Sequence, residues 1–166
     1  MSLSGSLFSP RPDRRSSSSR YAATVSALAC ATAPDCFAVL TDFESYPRWS
    51  SPVRRCEVMA RGRDGLPRHV QFEIEIARRR IHYQLAFHYT PPVRASWSMI
   101  DGDVRSITGA YQFEETAGGV IVSCTQVIDL GFWIPELIRR PLEQRALRRS
   151  VDEFCVAAGT RASGWA

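Results

Sequence analysis

Three histidines, five cysteines and five tyrosines are the side chains of this 166-residue chain best suited to proton or group transfer, and their spacing decides how many of them can be used. His69, His82 and His88 alternate with apolar residues in two strand-like runs, so they share the wet face of a sheet and look toward solvent. Glu73 and Glu75 stand on the same parity; their expected neighbours are arginines across the sheet rather than a shared proton. Cys30, Cys36, Cys56, Cys124 and Cys155 form no C-x-x-C pair and have no histidine at ligand spacing, which gives neither a zinc site nor a disulfide framework. Every one of the 21 basic residues is arginine. A chain without lysine forms no lysine Schiff base and supplies no P-loop lysine, which excludes aldolase-like, pyridoxal-dependent and P-loop chemistries. No residue is assigned as catalytic, and no metal or cofactor is expected.

The dry parity holds the more informative groups. Tyr83, Tyr111 and Gln126, with the indole N–H of Trp97, fall among apolar residues. A polar tip in such surroundings must bond internally or meet a ligand. Phe72, Phe87, Met99, Phe113 and Cys124 share that face and would wall a cavity suited to a flat, mostly apolar molecule. Arg105 has the same parity at a strand start, where it could guard the mouth. Tyr46 and Trp49 are expected as a lid over the sheet edge, and Phe132-Trp133 as a further mouth element. That pair stands beside Arg139 and Arg140 and could touch a membrane surface, although packing beneath the following helix is the favoured use.

These groups need a sheet to hold them. With 45% hydrophobic residues over 166 positions, the chain can bury one core, and the reading is one domain over residues 21–158. Residues 1–20 read as a disordered leader and 159–166 as a flexible tail. A first strand over Tyr21–Ala31 leads to a helix opened by Pro34-Asp35 and to a second helical turn across Glu44–Pro52. Six strands follow: Val53–Arg61, Arg68–Ala77, Arg79–Thr90, Arg94–Ile100, Arg105–Glu115 and Val120–Leu130. Gly62–Gly65, Pro91-Pro92, Asp101–Asp103 and Gly118-Gly119 mark short turns between them, so the strands are consecutive and antiparallel. Ile138, Leu142, Leu147, Val151, Phe154 and Ala158 then recur at helical spacing, with a kink or local break expected at Pro141. The class is α+β.

The formal net charge is +4. Arg11, Arg14, Arg15 and Arg20 against Asp13 place +3 of it in residues 1–20, which leaves the body at +1, a poor match to nucleic acid. No run approaches the length of a membrane span and no secretory h-region opens the chain, so the expected location is cytoplasmic.

The segment Asp42-Phe43-Glu44-Ser45-Tyr46-Pro47-Arg48-Trp49 resembles the D-x-x-x-Y-P-x-W segment of polyketide cyclase/dehydrase-like and coenzyme Q-binding-like members of the START-like (SRPBCC) superfamily. Gly109-Ala110-Tyr111-Gln112-Phe113 is similar to the glycine-containing penultimate strand of that family. Gly118-Gly119 resembles its last hairpin, and Gly131 to Pro135 its approach to the last helix. Cys124 and Gln126 depart from the aromatic and aliphatic residues of the pattern. The resemblance spans roughly Ala22 to Ala158 and implies a helix-grip fold, in which a curved antiparallel sheet closes on the long C-terminal helix. It implies binding of a hydrophobic small molecule such as a lipid, quinone or polyketide. The alternative it implies is an aromatic polyketide cyclase or dehydrase, and the third is a ribosome- or protein-interaction module without ligand.

Overall fold

The structure is a computed structural model that describes residues 20–76, 78–131 and 136–164; the leader before Arg20 and the Phe132-Trp133 pair lie outside them. Strand β1 (Arg20–Ala29) leads into helix α1 (Ala33–Thr41), a 3-10 turn (Phe43–Ser45) and the short helix α2 (Tyr46–Trp49). Strands β2 (Val53–Arg61), β3 (Pro67–Ile76), β4 (Arg79–Thr90), β5 (Arg94–Gly102), β6 (Ser106–Thr116) and β7 (Gly119–Asp129) follow, and helix α3 (Glu136–Ala162) ends the chain. The seven strands form one sheet in the order β1-β7-β6-β5-β4-β3-β2. Every neighbouring pair is antiparallel. The meander is thus as expected, and β1 returns to close it against β7. This is the α+β helix-grip fold.

Local chemistry sets the boundaries. Thr32 caps α1 by accepting from the Asp35 N–H, and the Asp35 carboxylate accepts in return from the Thr32 N–H, a reciprocal pair that fixes the start of the helix. The two edges of the sheet are blunted differently. α3 packs along β1, where Arg148 donates from Nη1 to the Ser26 carbonyl at 2.8 Å, while β2 carries register shifts along its pairing with β3. Bulges of that kind disfavour addition of a further strand.

Leu147, Val151, Phe154 and Ala158 of α3 are buried against the concave face. Phe154 stacks on Tyr111 with ring centroids 4.9 Å apart and on Phe113 at 5.8 Å. Two details of α3 differ from the sequence reading. The helix runs unbroken through Pro141; Pro141 and Leu137, whose carbonyl loses its amide partner, are both exposed, so ring and carbonyl have solvent to turn to. The helix also continues past Ala158 to Ala162, and a Cβ at Gly159 would meet the Cys30 carbonyl at an ordinary contact distance of 3.6 Å. Leu142 is 58% exposed, since the buried stripe extends back from Leu147 by four residues to Glu143 and not to Leu142.

Phe154 joins α3 to β6, and its removal would leave a cavity with aromatic walls. Phe154→Ala is expected to cost about 3–5 kcal/mol of folding free energy, read as a shift of the urea midpoint with the slope retained; a loss under about 1 kcal/mol would show that the helix is held elsewhere.

A candidate ligand cavity

The concave face does not fill completely. Between α3 and the middle of the sheet lies a cavity of about 510 Å³. Its floor comes from Phe72, Tyr83, Leu85, Phe87, Trp97 and Ile107, with Tyr111 and Gln126 at the end nearer β7. Leu40, Phe43, Tyr46 and Trp49 close one side, and Glu143, Ala146, Leu147 and Ser150 of α3 form the roof. Ser51, Ile76, Ala146 and Arg149 are lining residues that remain exposed, so the mouth opens between α3 and the ends of α2 and β3. The rim is tied together. Glu153 of α3 accepts the Ser51 N–H at 2.9 Å and the Arg149 Nε–H at 3.1 Å, which pins the loop after α2 to the helix.

The floor is an aromatic lattice. Phe72 stacks on Tyr83 at 5.3 Å, Phe43 meets Phe87 at 4.8 Å, and Trp97 bridges Phe87 at 6.0 Å and Tyr111 at 5.7 Å. Gly109 makes room for that bridge. It pairs across the ladder with Trp97, and a Cβ on it would lie 2.4 Å from the indole Cζ2. The indole therefore lies across a position that only glycine leaves open.

The polar tips divide into two groups. The Tyr46 hydroxyl donates to the Leu40 carbonyl at 2.7 Å, and Tyr111 has the Cys124 thiol as its hydrogen-bonding neighbour. By contrast, neither the Tyr83 hydroxyl nor the Gln126 amide has a side-chain hydrogen bond among the described residues, and both line the cavity. Burial raises the Tyr46, Tyr83 and Tyr111 phenols well above their ordinary value. It also pushes the Cys124 thiol up to about 12. At neutral pH these groups are uncharged donors and not nucleophiles. Of the charged side chains that line the cavity, Glu75, Glu143 and Arg149, it is Glu143 on the roof whose two carboxylate oxygens are withdrawn from solvent.

Of the residues expected to wall the cavity, Phe72, Tyr83, Phe87, Trp97, Tyr111 and Gln126 line it, as do Tyr46 and Trp49 at its side. Met99, Phe113 and Cys124 are on the concave face but outside the lining: Phe113 is covered by Phe154, and Cys124 lies under Tyr111. Arg105 does not guard the mouth. It precedes β6, and its exposed guanidinium sits 3.7 Å from the buried Asp129 carboxylate. The histidines take the outer parity, with His82 between Asp103 and Glu73. Glu73 and Glu75 pair with Arg80 and Arg54. Glu143 was not singled out from the sequence; its signal was the four-residue step back from Leu147.

A sheet closed on one long helix, with an aromatic cavity between them and a few polar groups in its wall, defines the class: a helix-grip, START-like ligand-cavity protein. The chain belongs to the family described as polyketide cyclase/dehydrase and lipid transport, whose model matches residues 30–155. Its fold is similar to that of a START superfamily protein from Mycobacterium smegmatis, at 17% identity and a TM-score of 0.70 over 89% of this chain and 99% of that one. It is also similar to the Zhui aromatase/cyclase from Streptomyces sp. R1128, at 15% identity and a TM-score of 0.73 over 89% and 99%. The di-domain aromatase/cyclase StfQ of the steffimycin biosynthetic pathway matches at 13% identity and a TM-score of 0.71, over 87% of this chain and 52% of that one. No curated protein matches the sequence. Among the described residues no helix is long and apolar enough to cross a membrane.

Gly109→Ala should force the Trp97 indole off its seat. The expected result is a loss of about 1–3 kcal/mol of stability, together with a change in tryptophan emission in the folded state. An unaltered melting curve and spectrum would show that the indole has room to move at no cost.

Proposed function

We propose that this chain binds a flat, mostly apolar small molecule, a quinone, polyketide or lipid, within the cavity between the sheet and α3. The observation that carries the reading is the combination of aromatic floor and unpartnered polar tips: Tyr83 and Gln126 offer hydrogen bonds that a ligand oxygen would complete. A volume of about 510 Å³ falls within the range of small-molecule sites. Neutral phenols favour a neutral ligand oxygen, because burying an unpaired charge against that floor is costly. The location that goes with this reading is the cytoplasm, and no metal or cofactor takes part in it.

A second reading, an aromatic polyketide cyclase or dehydrase, is favoured by one further feature. Ring closure and water loss need a proton acceptor and a donor over the same carbon skeleton. The Glu143 carboxylate on the roof supplies an acceptor, and the protonated Tyr83 on the floor supplies a donor. The family description and the aromatase/cyclase folds support this reading.

The first measurement is mass spectrometry of the organic extract from natively purified protein, with a fluorescent apolar probe added to the emptied protein. A stoichiometric quinone, polyketide or lipid is expected. Ser150→Trp, which fills the cavity from its roof, should abolish probe binding. Tyr83→Phe should weaken an oxygen-bearing ligand about three- to tenfold, equivalent to roughly 0.5–1.5 kcal/mol. Binding that neither variant alters would place the ligand elsewhere and overturn the proposal. Glu143→Gln separates the two readings: with a linear poly-β-ketone mimic, an enzyme loses about 100-fold or more in turnover while its binding persists, whereas a carrier shows no turnover to lose.

A further inference from the structure

The mouth of the cavity is a surface as well as an opening, and its two lips repeat one pattern. On the sheet side, register partners carry the floor outward: Phe72 stands opposite Tyr83, Ile74 opposite Ile81, and Ile76 opposite Arg79 at the outer end. Partners in an antiparallel ladder share a face. The aromatic floor therefore passes through an aliphatic step to a lip where Ile76 is 51% exposed and Arg79 is exposed beside it. On the helix side, Leu142, Ala146 and Arg149 follow one another at spacings of four and three residues, which puts them in one stripe of α3. Ala146 and Arg149 line the mouth, and Leu142, 58% exposed, continues their stripe toward the start of the helix. Each lip thus sets an exposed aliphatic side chain close to arginine.

The charges around the lips do not cancel. Glu75 is taken by Arg54 at 3.4 Å, Glu73 by Arg80 at 2.8 Å and Glu153 by Arg149 at 3.1 Å, and the Glu143 oxygens are withdrawn from solvent. Arg78 and Arg79 at the β3–β4 turn and Arg145 on α3 are exposed and form no ion pair among the described residues. Arg78 also holds a φ of 66°, a left-handed conformation that glycine adopts without strain. The turn carries a guanidinium where glycine would be easier.

Exposed leucine and isoleucine flanked by guanidiniums without carboxylate partners suit a bilayer with anionic headgroups. Aliphatic tips enter the acyl boundary, while arginine stems lie along it and their heads reach the phosphates. An acidic protein would satisfy the arginines and leave unused the aliphatic lips that run straight onto the floor. We propose that the cavity mouth docks on an anionic lipid surface, with Ile76 and Leu142 entering it and Arg78, Arg79 and Arg145 among the headgroups. The inference rests on the reading that the cavity holds an apolar molecule: a docked mouth passes that molecule between bilayer and floor without exposing it to water, where the hydrophobic cost of transfer would fall.

Co-sedimentation of the full chain with vesicles of phosphatidylcholine, alone or mixed with phosphatidylglycerol, tests the docking. The wild type is expected to bind the mixed vesicles more tightly, and to release them as salt rises. Arg78→Gly and Arg79→Gln should each weaken binding about fivefold, and Leu142→Glu about tenfold or more. Arg78→Gly relaxes the turn, so its melting temperature should hold or rise, which separates lost docking from lost folding. Arg94→Gln, at the far end of β4 beside Thr90, should change nothing. A soluble fluorescent apolar probe, read without vesicles, reports the cavity by itself and should bind the wild type and these variants alike. If the probe binds and anionic vesicles do not, the docking is overturned and the cavity reading stands. Vesicle binding that the lip variants weaken, in a protein that takes no probe, would retain the docking and overturn the cavity reading instead. Equal binding to both kinds of vesicle would overturn the proposal. So would binding that all three lip variants leave intact, as it would be if Arg11, Arg14 and Arg15 carried it, or a wild type that ignores anionic vesicles and binds an acidic protein.

Discussion

Everything in this molecule depends on how α3 lies on the sheet. Its buried stripe, Leu147, Val151, Phe154 and Ala158, presses on one end of the concave face, where Phe154 is sandwiched with Tyr111 and Phe113. α3 also packs along β1, where Arg148 satisfies the Ser26 carbonyl. A strand edge that would otherwise stay open is thereby covered, and the helix is held at a fixed angle to the ladder. Because that contact is made near β1, β6 and β7, the same helix stands clear of β3 and β4. The cavity follows from the seating of the helix.

The aromatic floor is the second half of the same constraint. Rings in offset or edge-to-face contact hold one another in place, so Phe43, Phe72, Tyr83, Phe87 and Trp97 form a stiff surface that cannot easily collapse upward into the space beneath α3. Burial then fixes the chemistry available there. With the phenols raised in pKa and the nearby thiol at about 12, the floor is a neutral donor surface, and the ionisable function comes from the helix above it.

The sequence displayed the sheet almost completely, because period-two alternation is a strong signal wherever one face is buried, and each expected strand is found with its ends within two residues. Parity assigns a residue to a face but says nothing of its depth along that face. Met99, Phe113 and Cys124 were therefore placed on the right side and yet stand outside the cavity; Phe113 lies where Phe154 of α3 covers the sheet. Arg105 shows the opposite failure: its parity was extended past the end of β6, where the backbone no longer follows a strand. Glu143 was hidden by its own chemistry. A charged residue is sent to solvent by any hydrophobic pattern, and Leu142 beside it took its place in the stripe, although the 3.6-residue period from Leu147 lands on Glu143.

The roof explains why the space persists. Above the aromatic floor, α3 presents Ala146 and Ser150, two small side chains that do not reach down to Phe72 or Tyr83, where Phe154 one turn further on fills its end of the groove. Larger apolar residues at 146 and 150 would extend the stripe and close the core, and by the usual energetics of filled against empty apolar space they would stabilise the fold. The chain instead sets small and polar groups over its most aromatic surface and keeps a buried carboxylate beside them. An arrangement that forgoes packing beside Tyr83 and Gln126, whose polar tips have no hydrogen bond among the described residues, gives up stability that an occupant of the gap would return by binding to the native state.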